Sequence, residues 1–233
     1  MKQKYCFKIF FVLILFTFFP LISSAALSDT ITVKKLANDG VTVLNQTTVT
    51  MEYLKDNFTV YGDDIAHYYY QEPTFDEHDL WNEYEYVNVF EFDLGGRKGT
   101  EIKDILSLVG GAVDGDEIKI IGTFGITKTY NYSTIYNYVP RRGRITLTWR
   151  KNSSYSFTAS PQLIFMADTS VNPWGVNCFG NWDMHETLPE SNWTYQWNNG
   201  QLYPKTLDYA DTGYDFDLED ITQIAIYSNL PPP

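Results

Sequence analysis

The residues best suited to chemistry lie in one short stretch. Cys178, Asp183, Met184 and His185 fall within eight positions, and the chain has only three histidines. Thiolate, thioether and imidazole donors together suit copper or zinc, with Asp183 as a carboxylate neighbour. His67 is the candidate to join them through the fold, so the metal set expected is His67, Cys178, Asp183 and His185. The bland alternative is structural: Cys as a small buried hydrophobe, Met as a gap filler. A second group is aromatic. His67-Tyr68-Tyr69-Tyr70 opens one irregular stretch, and Asp168, Asn172, Trp174 and Trp182 stand in another. Flat rings with polar edges suit a sugar, a flat cofactor or a protein partner. They suit a packed satellite core equally well.

Other chemistries are absent or broken. No glycines stand in a G-x-G arrangement, so neither a dinucleotide fingerprint nor a phosphate-cradling loop is written. No G-x-S-x-G elbow occurs. His185-Glu186 begins like a zinc-protease helix, but Pro189 stands at the second histidine's place. Asp215, Asp217 and Glu219 hint at calcium, yet Asp220 replaces the turn glycine and Ile226 the twelfth ligand.

Charge narrows the partners. Seventeen Lys and Arg face 29 Asp and Glu, a balance of −12. Such a chain is repelled by phosphate backbones, so nucleic acid is excluded as a partner. Two cysteines are too few for a disulfide framework.

The first 26 residues read as a signal peptide. Lys2, Lys4 and Lys8 precede an apolar run from Ile9 to Ile22, and Ser23-Ser24-Ala25-Ala26 offers a cleavage site. The run is short for a bilayer span of roughly 20 residues, so membrane attachment would come only through an uncleaved leader. Cleavage leaves 14 basic residues against 29 acidic, a balance of −15, with Cys178 as the lone thiol. Asn-x-Ser/Thr sequons stand at Asn45, Asn57, Asn131, Asn152 and Asn192. They fit export to the cell surface, a glycoprotein, and exposure of those asparagines.

The elements that must position these groups are mostly short strands. Asp39-Gly40 separates two β-branched runs, a hairpin signal. Thr47–Val49 could form another strand, and Thr50 reads as the cap of a short helix, 51–54. Residues 56–96 carry eleven acids and neither Lys nor Arg, and read as a long loop ending in a strand at 87–92. The spacing of Ile102, Ile105, Leu106 and Val109 predicts a helix over 100–109, capped by Thr100 and stopped by Gly110-Gly111. Strands are expected at 118–121, 126–130, 145–149, 163–167 and 221–227, with a helical turn at 132–136. Residues 172–204, with four tryptophans, read as irregular. Arg141-Arg142-Gly143-Arg144 is the only basic cluster. Residues 27–233 therefore predict one mainly β, α+β domain with few short helices.

Two resemblances follow. Gly99-Thr100-Glu101-Ile102-Lys103-Asp104-Ile105-Leu106 resembles the "GVxLxDLL" helix of the molybdopterin-binding domain of sulfite oxidase-like proteins. Gly115–Ile120, Leu163–Ala167 and Ile221–Tyr227 are similar to later strands of that family. The resemblance implies its fold and a cofactor end built from the two long stretches. There Tyr68, Tyr70, Asp168, Asn172, Trp174 and Trp182 would line one pocket. It departs where the family places its molybdenum-ligating cysteine: residues 61–96 contain no Cys, and Arg97 is the only nearby arginine. Fold does not carry function across that gap. Second, His67–Tyr69, Ala167–Gly175 and Gly180–Glu186 resemble stretches of archaeal cell-surface proteins. The expectation is an exported envelope protein that binds a small ligand, glycan or envelope protein. The alternative is an exported oxidoreductase with a metal or pterin cofactor on Cys178.

Overall fold

The computed structural model describes residues 30–70, 93–122, 125–151, 161–168, 175–198, 201–205 and 220–233. The expected signal peptide, the strand at 87–92, Asn152 and the Asp215–Glu219 pattern lie outside them. So do Asn172, Trp174 and the side chains of Trp182 and His185.

The described chain is mainly β. One mixed sheet has the order β2-β1-β12-β5-β6, from β1 (Thr30–Leu36), β2 (Val43–Thr50), β5 (Glu117–Ile121), β6 (Thr127–Asn131) and β12 (Gln223–Tyr227). Its neighbours are antiparallel except β1 and β12. The second sheet has the order β8-β7-β4-β3-β9. It comprises β3 (His67–Tyr70), β4 (Asp93–Glu101), β7 (Arg144–Lys151), β8 (Gln162–Met166) and β9 (Asn177–Phe179). Only β3 and β9 run parallel there. A separate hairpin joins β10 (Thr194–Asn198) and β11 (Gln201–Lys205).

Among the described residues are four short helices: α1 (Met51–Asn57), α2 (Ile102–Leu106), α3 (Tyr132–Tyr136) and α4 (Asn181–Thr187). Local chemistry sets their starts. Thr50 Oγ1 accepts from Tyr53 N at 3.0 Å, and Asn131 Oδ1 from Thr134 N at 2.8 Å, each satisfying an otherwise orphan amide. α2 touches β7 of one sheet and β12 of the other, and one apolar core runs through both. Burial of Ile31, Val33, Ile118, Ile120, Ile224 and Ile226 on one side, and of Ile145, Leu147 and Leu163 on the other, supplies its driving force. All five residues of β8 are buried, which accounts for the apolar run 163–166 behind Gln162.

Four expectations need correction. Residues 56–96, read as a long loop before a late strand, contain the end of α1, all of β3 at 67–70 and the start of β4 at 93. The helix expected at 100–109 begins two residues later and ends as a 3₁₀ turn, 107–109, with Gly110 left-handed at φ +92°. Thr100 is not its cap: it belongs to β4 opposite Leu147, and its hydroxyl accepts from Trp149 Nε1 at 3.1 Å. Tertiary hydrogen bonding outweighs the local capping signal. Residues 43–50 form one strand, because pairing with β1 continues through Asn45 and Gln46. Residues 172–204, read as irregular, contain β9, α4, a 3₁₀ turn at 190–192 and the β10–β11 hairpin. Their aromatic spacing hides the period, since these elements are too short to repeat one.

Backbone contact between strands is unusually close at several glycines. A Cβ at Gly143 would lie 1.8 Å from the Met166 carbonyl oxygen, while one at Gly125 would meet nothing within 4 Å. Both have positive φ. Gly125→Ala should therefore cost about 1–2 kcal/mol from conformation alone. Gly143→Ala should cost more, about 3 kcal/mol or above, because β7 and β8 must separate. Urea denaturation of the two variants checks the difference; equal losses would refute the close-approach argument.

Candidate functional site

The flanks of the two long stretches meet on one sheet edge. β3 precedes residues 71–92, and β9 follows residues 169–174. Their parallel register sets Tyr68 opposite Asn177, Tyr69 opposite Cys178 and Tyr70 opposite Phe179. β3 is held in turn by β4, where His67 faces Gly96. The segment before β3 pairs edge to edge with β4 in an antiparallel bridge: Tyr61 N donates to Gly99 O at 2.9 Å, and Gly99 N to Tyr61 O at 3.0 Å. A Cβ at Gly96 would fall 2.0 Å from the Asp64 carbonyl oxygen. Only glycine permits that approach.

His67 stands exposed at the start of β3. Its Nδ1 lies 2.7 and 3.0 Å from the two Asp93 carboxylate oxygens. Asp93 Oδ1 also accepts from Gly95 N at 2.6 Å. The carboxylate fixes the ring and directs Nε2 away from it, the arrangement that orients a ligating or proton-transferring imidazole. Tyr68 is half-buried. Burial, then the negative charges of Asp63 and Asp168, push its phenol above the usual value. Asp63 is fixed by amides from Ile65 and Ala66, each at 2.8 Å, and these bonds hold its carboxyl below the usual range. Asp168 follows β8, and desolvation pushes its carboxyl up. A phenol with Asp63 and Asp168 near it, and an imidazole held by Asp93 on the strand's other face, thus stand at this end of the second sheet.

Other candidates sit deeper. Tyr70 is fully buried, edge-on to Phe179 at 6.3 Å, and presents no surface to a ligand. Cys178 and Met184 are also fully buried. Asp183 is buried on α4 with both oxygens engaged. Oδ1 pairs with Arg141 Nε at 2.8 Å and Oδ2 accepts from Gly180 N at 2.9 Å. Among the described residues no three His, Cys, Asp or Glu side chains stand close enough to share a metal. The His185 side chain lies outside them, so the expected set is not described in full. The described residues do not fit a molybdenum–thiolate centre either. Cys178 is sealed in β9, and the stretch where the resemblance places the thiolate has no cysteine.

No protein-family model matches this chain, and a search of curated proteins returned no match. No described helix is long and apolar enough to cross a membrane.

The basic cluster proves to be the clamp behind this end, a role not read from the sequence. Arg141 holds Asp183. Arg142, buried, donates to the Thr187 carbonyl at 3.2 Å and to the Asn137 carbonyl. Burial pulls its pKa down to about 10. Arg144 lies between the Tyr61 and Tyr138 rings at 4.6 and 4.7 Å, and its Nη1 donates to Glu101 at 3.0 Å. The signal was present: three arginines together in a chain this acidic need carboxylates or carbonyls to meet.

Asp183 makes the clamp testable. Desolvation raises its carboxyl above the ordinary aspartate value, against the lowering by Gly180 and Arg141. Folding therefore takes up a proton between the ordinary value and the raised one. Relative to Asp183→Asn, the natural chain should gain stability as pH falls through the window just above 3.8. At pH 7, Asp183→Ala should lose about 3 kcal/mol by stranding Arg141. Urea denaturation between pH 7 and 4 checks both. A difference that widens against the natural chain on acidification would refute the sign.

Proposed function

We propose that the chain is an exported cell-envelope protein that binds a ligand or partner, on a sulfite oxidase-like scaffold lacking the molybdenum-ligating cysteine. The leader pattern, the five sequons and the acidic balance support export. The shared edge of β3 and β9 supports a binding role, since Tyr68 stands there within reach of the Asp63 and Asp168 charges, with His67 next to it on the other face of β3. Asn172, Trp174 and Trp182 complete the binding end in this reading, and a small ligand, glycan or envelope protein occupies it. Export leaves Cys178 as the lone thiol, and the carrying observation is its complete burial. A thiolate that binds metal for turnover needs an open coordination position.

A second reading keeps an exported metal- or pterin-dependent oxidoreductase using Cys178. The Asp93 carboxylate behind His67 favours it, because metal-ligating histidines are oriented this way.

Metal analysis and thiol titration separate the two. Under the binding reading, Cys178 should react with a thiol reagent only after denaturation. Metal content should also be the same in the natural chain and Cys178→Ala. One copper, zinc or molybdenum per chain that disappears in Cys178→Ala would overturn the binding reading in favour of the enzyme.

A further inference from the structure

A separate cleft of about 390 Å³ opens between three elements away from the β3–β9 edge. Its walls are the turn at 114–117, the β6–α3 junction and the 3₁₀ turn at 190–192. The size lies within the range of small-molecule sites. We propose that this cleft binds a neutral saccharide.

The chemistry of the walls makes the selection. No Lys, Arg or His lines the cleft, while Asp114 and Glu117 do, so anionic ligands are repelled. The two carboxylates do not make a metal site. Asp116, between them, is already consumed: its oxygens accept from Val113 N at 3.0 Å and Asn229 N at 3.1 Å. No metal-holding group of three occurs among the described residues. What remains is a wall rich in acceptors and hydroxyls, including Ser133 and Ser191. A ligand with many hydroxyl donors and no charge matches it.

Two details sharpen the match. Tyr132 supplies a flat ring at the wall. Its ring stacks on Tyr136 at 4.5 Å and 17°, and Tyr136 is anchored by the Ala112 amide, which donates to its hydroxyl at 2.9 Å. A fixed ring binds a pyranose face with little loss of side-chain freedom. Asn192 supplies the second. Its amide nitrogen donates to the Thr129 carbonyl, which fixes the amide's orientation. Its Oδ1 is left sealed, with no hydrogen-bond partner among the described residues. That bond and the sealed oxygen make Asn192 a fixed part of the cleft wall.

This site does not depend on the reading of the β3–β9 end. The test is an array of neutral and acidic oligosaccharides probed with the purified full chain, followed by calorimetry on the strongest neutral binder. Tyr132→Ala should weaken binding by about tenfold or more, and Tyr132→Phe, which keeps the ring, should retain it. Thermal melting of both variants checks that α3 still folds. Tyr68→Ala and Asp168→Asn should leave the affinity unchanged. The proposal is overturned if no neutral saccharide binds, if only acidic ones do, or if Tyr132→Ala binds as the natural chain does. Loss in Tyr68→Ala alone also overturns it, and assigns the saccharide to the β3–β9 end instead.

Discussion

The close approach of backbone to backbone along β4 governs the end of the second sheet. Gly96 leaves room for the Asp64 carbonyl and Gly62 for the Arg97 carbonyl, and a Cβ at either would force residues 61–64 off the strand by more than an ångström, while Gly99 does the same for Leu147 of β7 on the other side. Because 61–64 lie flat, the chain arrives at His67 already in register with β4. β3 then offers its other edge to β9, and the parallel pair forms. Parallel pairing needs a long crossover, and the chain between β3 and β9 includes β4 to β8. The four-residue strand therefore joins a nearby pairing, Tyr68 with Gly95, to a distant one, Tyr68 with Asn177.

Charge is managed behind this edge. The chain is acidic throughout, yet three of its arginines stand within four positions. Each reaches a different kind of acceptor. Arg141 meets a buried carboxylate, Arg142 meets carbonyls, and Arg144 meets a carboxylate and two ring faces. A cation between aromatic faces contributes roughly 0.5–2 kcal/mol, and the carboxylate fixes its position. Gly143 in the middle of the cluster allows β7 to start against the Met166 carbonyl. The turn thus ties α4, the end of β4 and the end of β8 to one point.

The mainly β, α+β class, the capped helix after Thr50, the helical turn at 132–136 and the strands around 118, 145, 163 and 224 were all legible. Each has a local cause: a capping oxygen, a β-branched run or a fully apolar stretch. The reading failed where the cause is remote. Thr100 has the right neighbours for a cap, but the indole of Trp149 lies 49 residues away. β9 is three residues long and exists because β3 is beside it. Asp183 looks like a ligand in sequence, and its partner Arg141 is 42 residues distant. The exposure expected of the sequons follows the same division. Asn45, Asn57 and Asn131 are exposed, whereas Asn192 is partly buried and bonded to β6.

Burial also separates the chemical candidates in a way residue type alone does not. Cys178, Tyr70 and Asp183 are the most reactive-looking members of their stretches, and each is sealed or saturated. The groups left at the surface are His67, held by Asp93, and Tyr68 with Asp63 and Asp168. That division follows from strand geometry. Side chains alternate along β3, so Tyr68 and Tyr70 share a face while Tyr69 takes the opposite one. Tyr70 meets Phe179 inside the sheet's core, and Tyr68, two residues nearer the strand's start, reaches its rim. Between Tyr68 and Tyr70, which share a face, position along the strand decides which meets solvent and which fills the core.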